Sequence, residues 1–231
     1  MKTALITGTN RGLGLEFVKQ YLNSGWNVIA CCRKPDDAKE LNQLKFDFTE
    51  ELDIYGLDVS NLSAITNFAD CLRITPIDLL ISNAGMYGSQ LNSFGNVDYE
   101  NWIETFKVNT MAGLKIAESF VDHIACSTDK KLIFVTSQMG SIDDNGSGGS
   151  YIYRSTKCAL NAVVKSLSVD LRSRNITVST IHPGWVLTDM GGPNALISVE
   201  ESVSEMKRTI DELSIEVSGN FLNYDGNTIL W

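Results

Sequence analysis

Residues 3–14 read Thr3-Ala4-Leu5-Ile6-Thr7-Gly8-Thr9-Asn10-Arg11-Gly12-Leu13-Gly14. The apolar start predicts a short strand, and three glycines follow it where the strand would turn into a helix. Apolar residues then recur at helical spacing from Leu13 to Leu22, and Gly25 is a stop signal. Glycines in such a turn let the backbone approach a pyrophosphate, whose charge the helix N-terminus favours. The alternative is a tight turn without a ligand, because Gly-x-x-x-Gly-x-Gly departs from the commoner Gly-x-Gly-x-x-Gly.

The rest of the chain alternates short β-rich segments with longer amphipathic ones. This order predicts βα units that build a parallel sheet. Seven strands are predicted, at residues 3–7, 27–31, 53–57, 77–81, 131–136, 177–181 and 219–223. The expected fold class is α/β, with one Rossmann domain over residues 1–231: a doubly wound seven-stranded parallel sheet with helices on both faces. Residues 190–214 carry little β signal, and we expect them to cross one sheet edge and cover a substrate.

Composition excludes several classes of protein. The 231 residues are 43% hydrophobic and 20% charged, which is ordinary for a globular domain, and the net charge of −9 argues against a nucleic-acid partner. Apolar runs are far shorter than the ~20 residues of a membrane helix, and no export signal is visible, so we expect a cytoplasmic protein without a membrane partner. The five cysteines form no Cys-x-x-Cys pair and there are only two histidines. Neither disulfides nor a metal site is expected.

The end of the second predicted strand bears on the choice of nicotinamide cofactor. An NAD site usually carries an acidic residue there, which binds the ribose 2′-hydroxyl. This chain has Arg33 and Lys34 at that point. A guanidinium can bind a 2′-phosphate with two hydrogen bonds, and Arg11 in the glycine turn can reach the same group. NADP(H) is therefore expected, the alternative being two solvated surface cations.

Three side chains in the middle of the chain suggest acid/base chemistry. Tyr153 and Lys157 lie four residues apart near the start of a helix predicted over residues 150–172, so both project from one face. A neighbouring ammonium would lower the pKa of the phenol and make Tyr153 a usable acid/base. Ser137 follows a predicted strand and can donate to a carbonyl oxygen that gains negative charge. Taken singly, these residues are explained as well by a surface pair and a strand cap.

The order of these motifs resembles that of the short-chain dehydrogenase/reductase family over almost the entire chain. The motifs are Thr7-Gly8-x-x-x-Gly12-x-Gly14, Asp58-Val59, Asn83-Ala84-Gly85, Asn109, Ser137, Tyr153-x-x-x-Lys157 and Pro183-Gly184-x-Val186-x-Thr188. Within the family, the sequence is most similar to the C-factor and sniffer-type carbonyl reductases. That likeness comes from Asn10-Arg11-Gly12-Leu13-Gly14-Leu15, His182-Pro183-Gly184-Trp185-Val186, Thr188-Asp189-Met190-Gly191-Gly192 and Asn223-Tyr224-Asp225-Gly226.

The resemblance implies an NADP(H)-dependent oxidoreductase that reduces a carbonyl to an alcohol, or runs the reverse reaction. Tyr153 would donate the proton to the carbonyl oxygen while Ser137 polarises it. Lys157 would bind the nicotinamide ribose and lower the pKa of Tyr153, and Asn109 would hold a water that links Lys157 to a proton path. The substrate would be a small carbonyl or alcohol compound.

The resemblance also implies a set of cofactor contacts. Asp58 and Val59 would contact the adenine, while Val186 and Thr188 would meet the carboxamide and phosphates. The cofactor-binding residues would be Gly8, Asn10, Arg11, Gly12, Leu13, Gly14, Arg33, Asp58, Val59, Asn83, Ala84, Gly85, Tyr153, Lys157, Pro183, Gly184, Val186 and Thr188. A longer Gly/Ser-rich stretch than usual separates Ser137 from Tyr153, so we expect a mobile rim on the site.

Other functions fit the sequence less well. A serine hydrolase would need a nucleophile elbow, but no Ser has Gly two positions before and two after it. A P-loop nucleotide hydrolase would need a Gly-Lys pair, which the chain lacks. Extended epimerases share Tyr-x-x-x-Lys but differ in glycine spacing. The competing hypothesis is an NADP(H)-binding signalling or sensor protein of C-factor type with little turnover, although such a protein would not need the catalytic set.

Two further expectations concern packing. Ala159 and Ala162 extend the apolar surface of the helix predicted from residue 150, which favours a homodimer over packing within one chain. His182, at the end of a strand, is expected to be a structural histidine whose polar atoms are satisfied. Apolar residues near the sheet edge either line a substrate pocket or belong to the core, namely Met139, Trp185 and Met190.

Overall fold

All seven predicted strands form, with ends within two residues of the predicted ones. The computed structural model describes residues 1–73 and 75–231, and within them the strands are β1 (Thr3–Thr7), β2 (Asn27–Cys32), β3 (Leu52–Gly56), β4 (Leu79–Ser82), β5 (Asn92–Ser93), β6 (Asn96–Val97), β7 (Lys131–Val135), β8 (Thr177–His182) and β9 (Phe221–Asn223). The strands β5 and β6 pair only with each other, as a short antiparallel hairpin.

Helices occupy the segments between the strands. They are α1 (Gly12–Asn23), α2 (Lys39–Asp47), α3 (Leu62–Leu72), α4 (Tyr99–Phe106), α5 (Ala112–Ala125), α6 (Tyr151–Asp170) and α7 (Val199–Glu212). The helix predicted over residues 150–172 is α6, which ends two residues early. A short 3₁₀ turn follows, and the chain reverses at Asn175, whose φ of 57° lies in the left-handed region that Asn tolerates. No helix in the described part of the chain is long and apolar enough to span a membrane.

The main sheet is parallel throughout and has the order β3-β2-β1-β4-β7-β8-β9. The chain first winds outward from β1 to β3 and then in the other direction from β4 to β9. The reversal lies between β1 and β4, and ligands of such sheets bind outside the carboxyl ends of the strands at that point. This is the predicted doubly wound Rossmann arrangement.

Both faces of the sheet are covered by helices, because the side chains of each strand alternate between two cores. In β1, Ala4 and Ile6 belong to one core and Leu5 belongs to the other. Phe17 of α1 is in the first core, and Phe120 of α5 is in the second. A strand buried on both faces reads as a continuous apolar run, which is why β1 was recognisable in the sequence.

The segment predicted to cover a substrate, residues 190–214, has two parts. Its second part is mostly α7, which packs on α1 and places Val203, Met206 and Ile210 in the first core. The first part lies in the connection after β8, where Val186 and Ile197 form an isolated parallel bridge. The helical part thus belongs to the helix layer of the sheet, and a covering role for this segment stays a prediction.

Candidate active site

The turn from β1 into α1 is held by close backbone contacts that need glycine. A Cβ added at Gly8 would lie 2.9 Å from the Cα of Ala84, and one at Gly14 would overlap the carbonyl oxygen of Gly8. Gly12 has a φ of 56° and more open surroundings, the nearest atom to an added Cβ being Thr188 Cγ2 at 3.6 Å. Two glycines are therefore required by packing, and the third is required by its backbone conformation.

Asn83 and Ala84, after β4, fasten this turn from the side. The side-chain amide of Asn83 donates to the carbonyl oxygens of Thr7 at 2.9 Å and Gly8 at 3.2 Å. The backbone N–H groups of Asn83 and Ala84 both donate to the Thr7 hydroxyl oxygen. From the other side, Gly8 N–H donates to the Cys31 carbonyl at 2.8 Å. The glycine turn is thus fixed to the strands on both sides of β1.

The start of α1 offers N–H groups to an anion. Arg11 is the N-cap residue, and its side chain makes no capping hydrogen bond, nor does the first turn carry an acidic residue. Uncapped N–H groups together with the helix dipole suit a phosphate. The Arg11 guanidinium instead forms an ion pair with Asp189, in the connection after β8. Asn10 is exposed and Leu13 is half-buried.

The predicted adenine end of the cofactor site lies after β2 and β3. Arg33 is exposed, as is Asp58. A hydrogen bond from Ser60 lowers the pKa of Asp58, and the charge of Arg33 adds a smaller effect in the same direction. Val59 is buried in the second core. Arg33 is therefore available for a phosphate, whereas Val59 also serves the packing of the sheet.

Tyr153 and Lys157 lie on the buried face of α6. The Lys157 ammonium donates to the carbonyl oxygen of Val135 at 3.0 Å and lies 5.9 Å from the centroid of the Tyr153 ring. Burial lowers the pKa of Lys157 to about 8. Burial also raises the pKa of Tyr153 to about 12, with a hydrogen bond to Ser137 acting in the opposite direction.

This direction differs from the sequence expectation, in which Lys157 lowers the pKa of the phenol. The physical reason is that both groups are removed from water, and desolvation disfavours the charged form of each. The ammonium is engaged with the Val135 carbonyl, at the end of β7. Without another positive charge in the site, Tyr153 stays protonated at neutral pH.

Ser137 is buried directly after β7. Its hydroxyl oxygen accepts a hydrogen bond from the N–H of Met139 at 3.1 Å and caps the short helical turn Gln138–Gly140. The O–H proton of the same group can still donate to another acceptor. The capping explanation and the predicted donor role are therefore compatible.

Asn109 lies in the π-helical turn Lys107–Met111, between α4 and α5. Its side chain accepts from the N–H of Met86 at 2.9 Å and donates to the Met86 carbonyl at 2.8 Å and the Thr156 hydroxyl at 3.0 Å. Single π-helical turns occur often at functional sites. Here the turn ties the segment after β4 to α6.

Gly85 brings these groups together. A Cβ added to it would lie 3.3 Å from Asn109 Oδ1 and 3.5 Å from Lys157 Nζ, so the bare backbone passes between the two side chains. Both are buried, while Gly85 itself is exposed. The exposed backbone of Gly85 therefore lies beside the Lys157 ammonium at the sheet edge where β4 ends.

The segment after β8 closes the site beside the glycine turn. A Cβ at Gly184 would lie 2.7 Å from Ile197 Cδ1, and the Pro183 carbonyl accepts from Ser202 at the start of α7. Val186 is buried, and Thr188 accepts from the N–H of Gly191 at 3.1 Å. The predicted residues of this segment are thus held by a hydrogen bond from α7 and by contacts within the segment.

One residue of the site carries no sequence signal. The ring of Tyr87 stacks on the ring of Tyr153, with centroids 4.7 Å apart and planes 26° apart. Its hydroxyl is 3.0 Å from the hydroxyl of Ser150, just before α6. Tyr87 lies in the loop after β4, at no fixed spacing from the motifs found in the sequence. Its contact with Tyr153 is therefore visible only in the folded chain.

One packing expectation needs correction, and a second is narrowed to one of its alternatives. His182 is not satisfied, because its buried Nδ1 finds no hydrogen-bond partner among residues 1–73 and 75–231. Burial lowers the pKa of His182 to about 4, so the ring is neutral at physiological pH. Trp185 and Met190 are half-exposed rather than core residues, and Met139 is partly buried.

Comparisons with known proteins agree with the overall fold. The family model for short chain dehydrogenases matches residues 2–196. The C-signal protein of Myxococcus xanthus is 40% identical over 164 residues, which cover 71% of this chain and 98% of that protein. Carbonyl reductase Sniffer of D. melanogaster has a TM-score of 0.92 at 32% identity, with 100% of both chains covered. The NADPH-bound carbonyl reductase from chicken fatty liver has a TM-score of 0.91 at 32% identity, over 100% and 99% of the two chains.

The predicted resemblance is therefore confirmed by sequence and by fold. Most of the chain lies within the matched region, and the glycine turn, Ser137, Tyr153 and Lys157 all fall inside it. The chain belongs to the short-chain dehydrogenase family.

Proposed function

We propose that the protein is an NADP(H)-dependent oxidoreductase that reduces a carbonyl to an alcohol, or catalyses the reverse, with Tyr153 as its acid/base. The observation that carries the proposal is the arrangement of four side chains around the carboxyl ends of β4 and β7, next to the glycine turn. They are Asn109, Ser137, Tyr153 and Lys157. A protein that only binds a nucleotide has no need of a buried tyrosine and lysine there.

The residues present fit a dinucleotide. Gly12 leaves the turn open, and the uncapped start of α1 suits the pyrophosphate. Gly85 leaves the backbone bare beside Lys157, so a ribose can approach the ammonium. Arg33 is free to bind a 2′-phosphate, which favours NADP(H) over NAD(H). The NADPH-bound state of the chicken carbonyl reductase supports the same cofactor for this chain.

The chemistry divides between the cofactor and the side chains. NADPH, when bound, supplies the hydride. The phenol of Tyr153 donates a proton to the carbonyl oxygen, and Ser137 donates a hydrogen bond to the same oxygen as it gains negative charge. Lys157 Nζ has a pKa of about 8, so it can exchange a proton near neutral pH. Asn109 holds Met86 and Thr156 in place near Lys157. The water that we expect Asn109 to hold, as a link from Lys157 to a proton path, remains a prediction.

The first experiment measures NADPH consumption with a panel of aldehydes, ketones and quinones, with NADH in parallel. We expect a preference for NADPH, and a loss of roughly 100-fold or more in kcat for Tyr153→Phe. The matched control is Tyr151→Phe, which removes an exposed hydroxyl from the first residue of the same helix and should leave turnover unchanged. Equal turnover of Tyr153→Phe and wild type would contradict the assignment of the acid.

A second function is favoured by one observation, the 40% identity to the C-signal protein. In that case the protein would bind NADPH without turnover, and another molecule would respond to the NADPH-bound form. NADPH binding measured by fluorescence, together with silence across the whole substrate panel, would favour this sensor function. Turnover that disappears in Tyr153→Phe would exclude a protein that only senses.

We also propose a homodimer, with a small carbonyl or alcohol compound as substrate, a cytoplasmic location, and neither nucleic acid nor membrane as partner. Large apolar side chains are exposed along α4 and the adjoining turn, including Tyr99, Ile103 and Met111. On α6, Ala162 is exposed as well. Sedimentation equilibrium of wild type and Ile103→Asp is the test: a dimer that dissociates in the variant supports the proposal, and a wild-type monomer refutes it.

A further inference from the structure

We infer that Tyr87 is a positioning residue that disfavours the phenolate form of Tyr153, by stacking its aromatic face on the Tyr153 ring. This inference rests on the proposed function, because it concerns the acid of that reaction. The two ring centroids are 4.7 Å apart and the planes are 26° from parallel. Tyr153 is buried and Tyr87 is half-buried, so the contact is sheltered from water.

Tyr87 is held in this position at both ends. Its hydroxyl is bonded to Ser150 at 3.0 Å, and Ser150 is the N-cap of the helix that carries Tyr153. The next residue is Gly88, with a φ of 88°, where an added Cβ would lie 2.8 Å from Ile152 Cγ2. The missing side chain lets the segment after β4 pass close to α6, which puts the Tyr87 ring against its neighbour.

The stacked arrangement favours the neutral phenol. An aromatic face carries partial negative charge, so a phenolate stacked on it is repelled and a phenol is not. Of the groups that face Tyr153, Ser137 after β7 favours the phenolate through a hydrogen bond. Lys157 on α6, whose pKa is about 8, is neutral at the pH where Tyr153 loses its proton. Burial favours the phenol and is the largest cause of the raised pKa of Tyr153, and the stacked face of Tyr87 acts in the same direction. Burial alone keeps Tyr153 protonated at neutral pH, and the Tyr87 ring extends its proton-donating range to higher pH.

The test titrates Tyr153 directly in the cofactor-free protein, by NMR of carbon-labelled tyrosine rings. The Tyr153 signal is assigned by its absence from Tyr153→Phe. Tyr87→Leu replaces the ring by an aliphatic group that keeps the site dry, and we expect the pKa of Tyr153 to fall by roughly half to one pH unit. Tyr87→Phe keeps the ring but loses the hydroxyl bond to Ser150, and we expect it to leave that pKa close to wild type.

The control is Tyr99→Leu, which removes an exposed tyrosine whose ring contacts the ring of Trp102, with centroids 5.8 Å apart, rather than the ring of Tyr153. Tyr87→Met is the second aliphatic variant, in case Tyr87→Leu does not fold. An unchanged or raised pKa of Tyr153 in the aliphatic variants would overturn the inference. So would an equal fall in Tyr87→Phe and Tyr87→Leu, because the hydroxyl bond rather than the ring would then be responsible.

Activity gives an independent readout. In the aliphatic variants, carbonyl reduction should begin to decline at a lower pH than in wild type, by the same interval as the NMR shift. If the NMR shift occurs while wild type reduces no compound of the panel, the stacking effect stands and the proposed function fails. If wild type reduces carbonyls and the NMR shift is absent, the proposed function stands and the inference on Tyr87 fails.

Discussion

Two loops border the candidate active site, the turn after β1 (residues 7–14) and the loop after β7 (residues 137–150), and they are held in opposite ways. In the first, Gly8 and Gly14 leave no space for a Cβ, and Asn83 binds two of its carbonyl groups. In the second, residues 142–148 are all exposed, and a Cβ at Gly146 or Gly148 would meet no atom within 4 Å.

The difference matches what each loop would contact. The first loop faces the expected cofactor, whose shape does not change, and its backbone is determined by contacts that exclude other residues. Under the proposed function, the second loop forms the rim on the substrate side. Its exposed part is held from outside by Arg154, which donates to Ser147 at 2.9 Å, and by the Trp231 carbonyl, which accepts from the N–H groups of Ile142 and Asp143 at 3.1 Å. Changes in this rim should alter the fit to a substrate without disturbing the sheet.

The largest expected contrast comes from adding one methyl group to each loop. Gly14→Ala would overlap the Gly8 carbonyl, so we expect a loss of about 3 kcal/mol or more in the free energy of unfolding. Gly146→Ala is the matched control, and it should change stability by less than about 0.5 kcal/mol. Urea unfolding of both variants measures this, and similar losses in the two would refute the proposed difference between the loops.

The pH dependence of stability tests the packing at the start of the second loop. There, the buried Lys157 ammonium donates to the carbonyl of Val135, just before that loop. Its folded pKa of about 8 lies below the ordinary value of 10.5, so between these pH values the unfolded chain binds more protons. Stability should therefore rise with pH across this interval. Relative to Lys157→Met, wild type should gain up to about 3 kcal/mol between pH 7 and pH 10.5. Parallel pH profiles of unfolding for the two proteins would show that the ammonium is not desolvated.

In each loop, an asparagine side chain forms hydrogen bonds with backbone groups, and removing these bonds should change stability less than the glycine substitutions do. Asn83→Ala removes two bonds to the glycine turn and should cost about 1–3 kcal/mol and weaken NADPH binding. Asn145→Ala removes a bond to the N–H of Gly148 in the exposed loop and should cost under about 1 kcal/mol without affecting NADPH. Thermal unfolding and NADPH titration of both variants measure these effects. A greater loss of stability in Asn145→Ala than in Asn83→Ala would contradict the proposed difference between the loops.

The smallest effect is expected for the ion pair between Arg11 and Asp189, which bridges the glycine turn and the segment after β8. Both side chains are mostly exposed, 65% and 80%, so Asp189→Asn should change stability by less than about 1 kcal/mol, and less still at high salt. Unfolding at low and high salt checks this. A larger cost would mean that charge, and not glycine packing, holds the first loop in place.

Much of the site followed from the sequence because its signals are local. The spacing of Tyr153 and Lys157 on a helix puts both on one face, whatever the rest of the chain does. The position of Ser137 at the end of a strand follows equally from the strand itself. The stacking of Tyr87 and the unsatisfied Nδ1 of His182 have no such signal, since each depends on residues distant in the chain.

The seven strands, the helices between them and the glycine turn could be predicted from local patterns, because strand, helix and left-handed glycine preferences act between near neighbours in the chain. The strand order, the contacts of Asn83 with a turn 75 residues away, and the direction of the Tyr153 pKa shift could not be predicted in this way and follow from the folded chain. The physical reason is that desolvation and long-range hydrogen bonding depend on which distant segments pack together, and no local pattern encodes that.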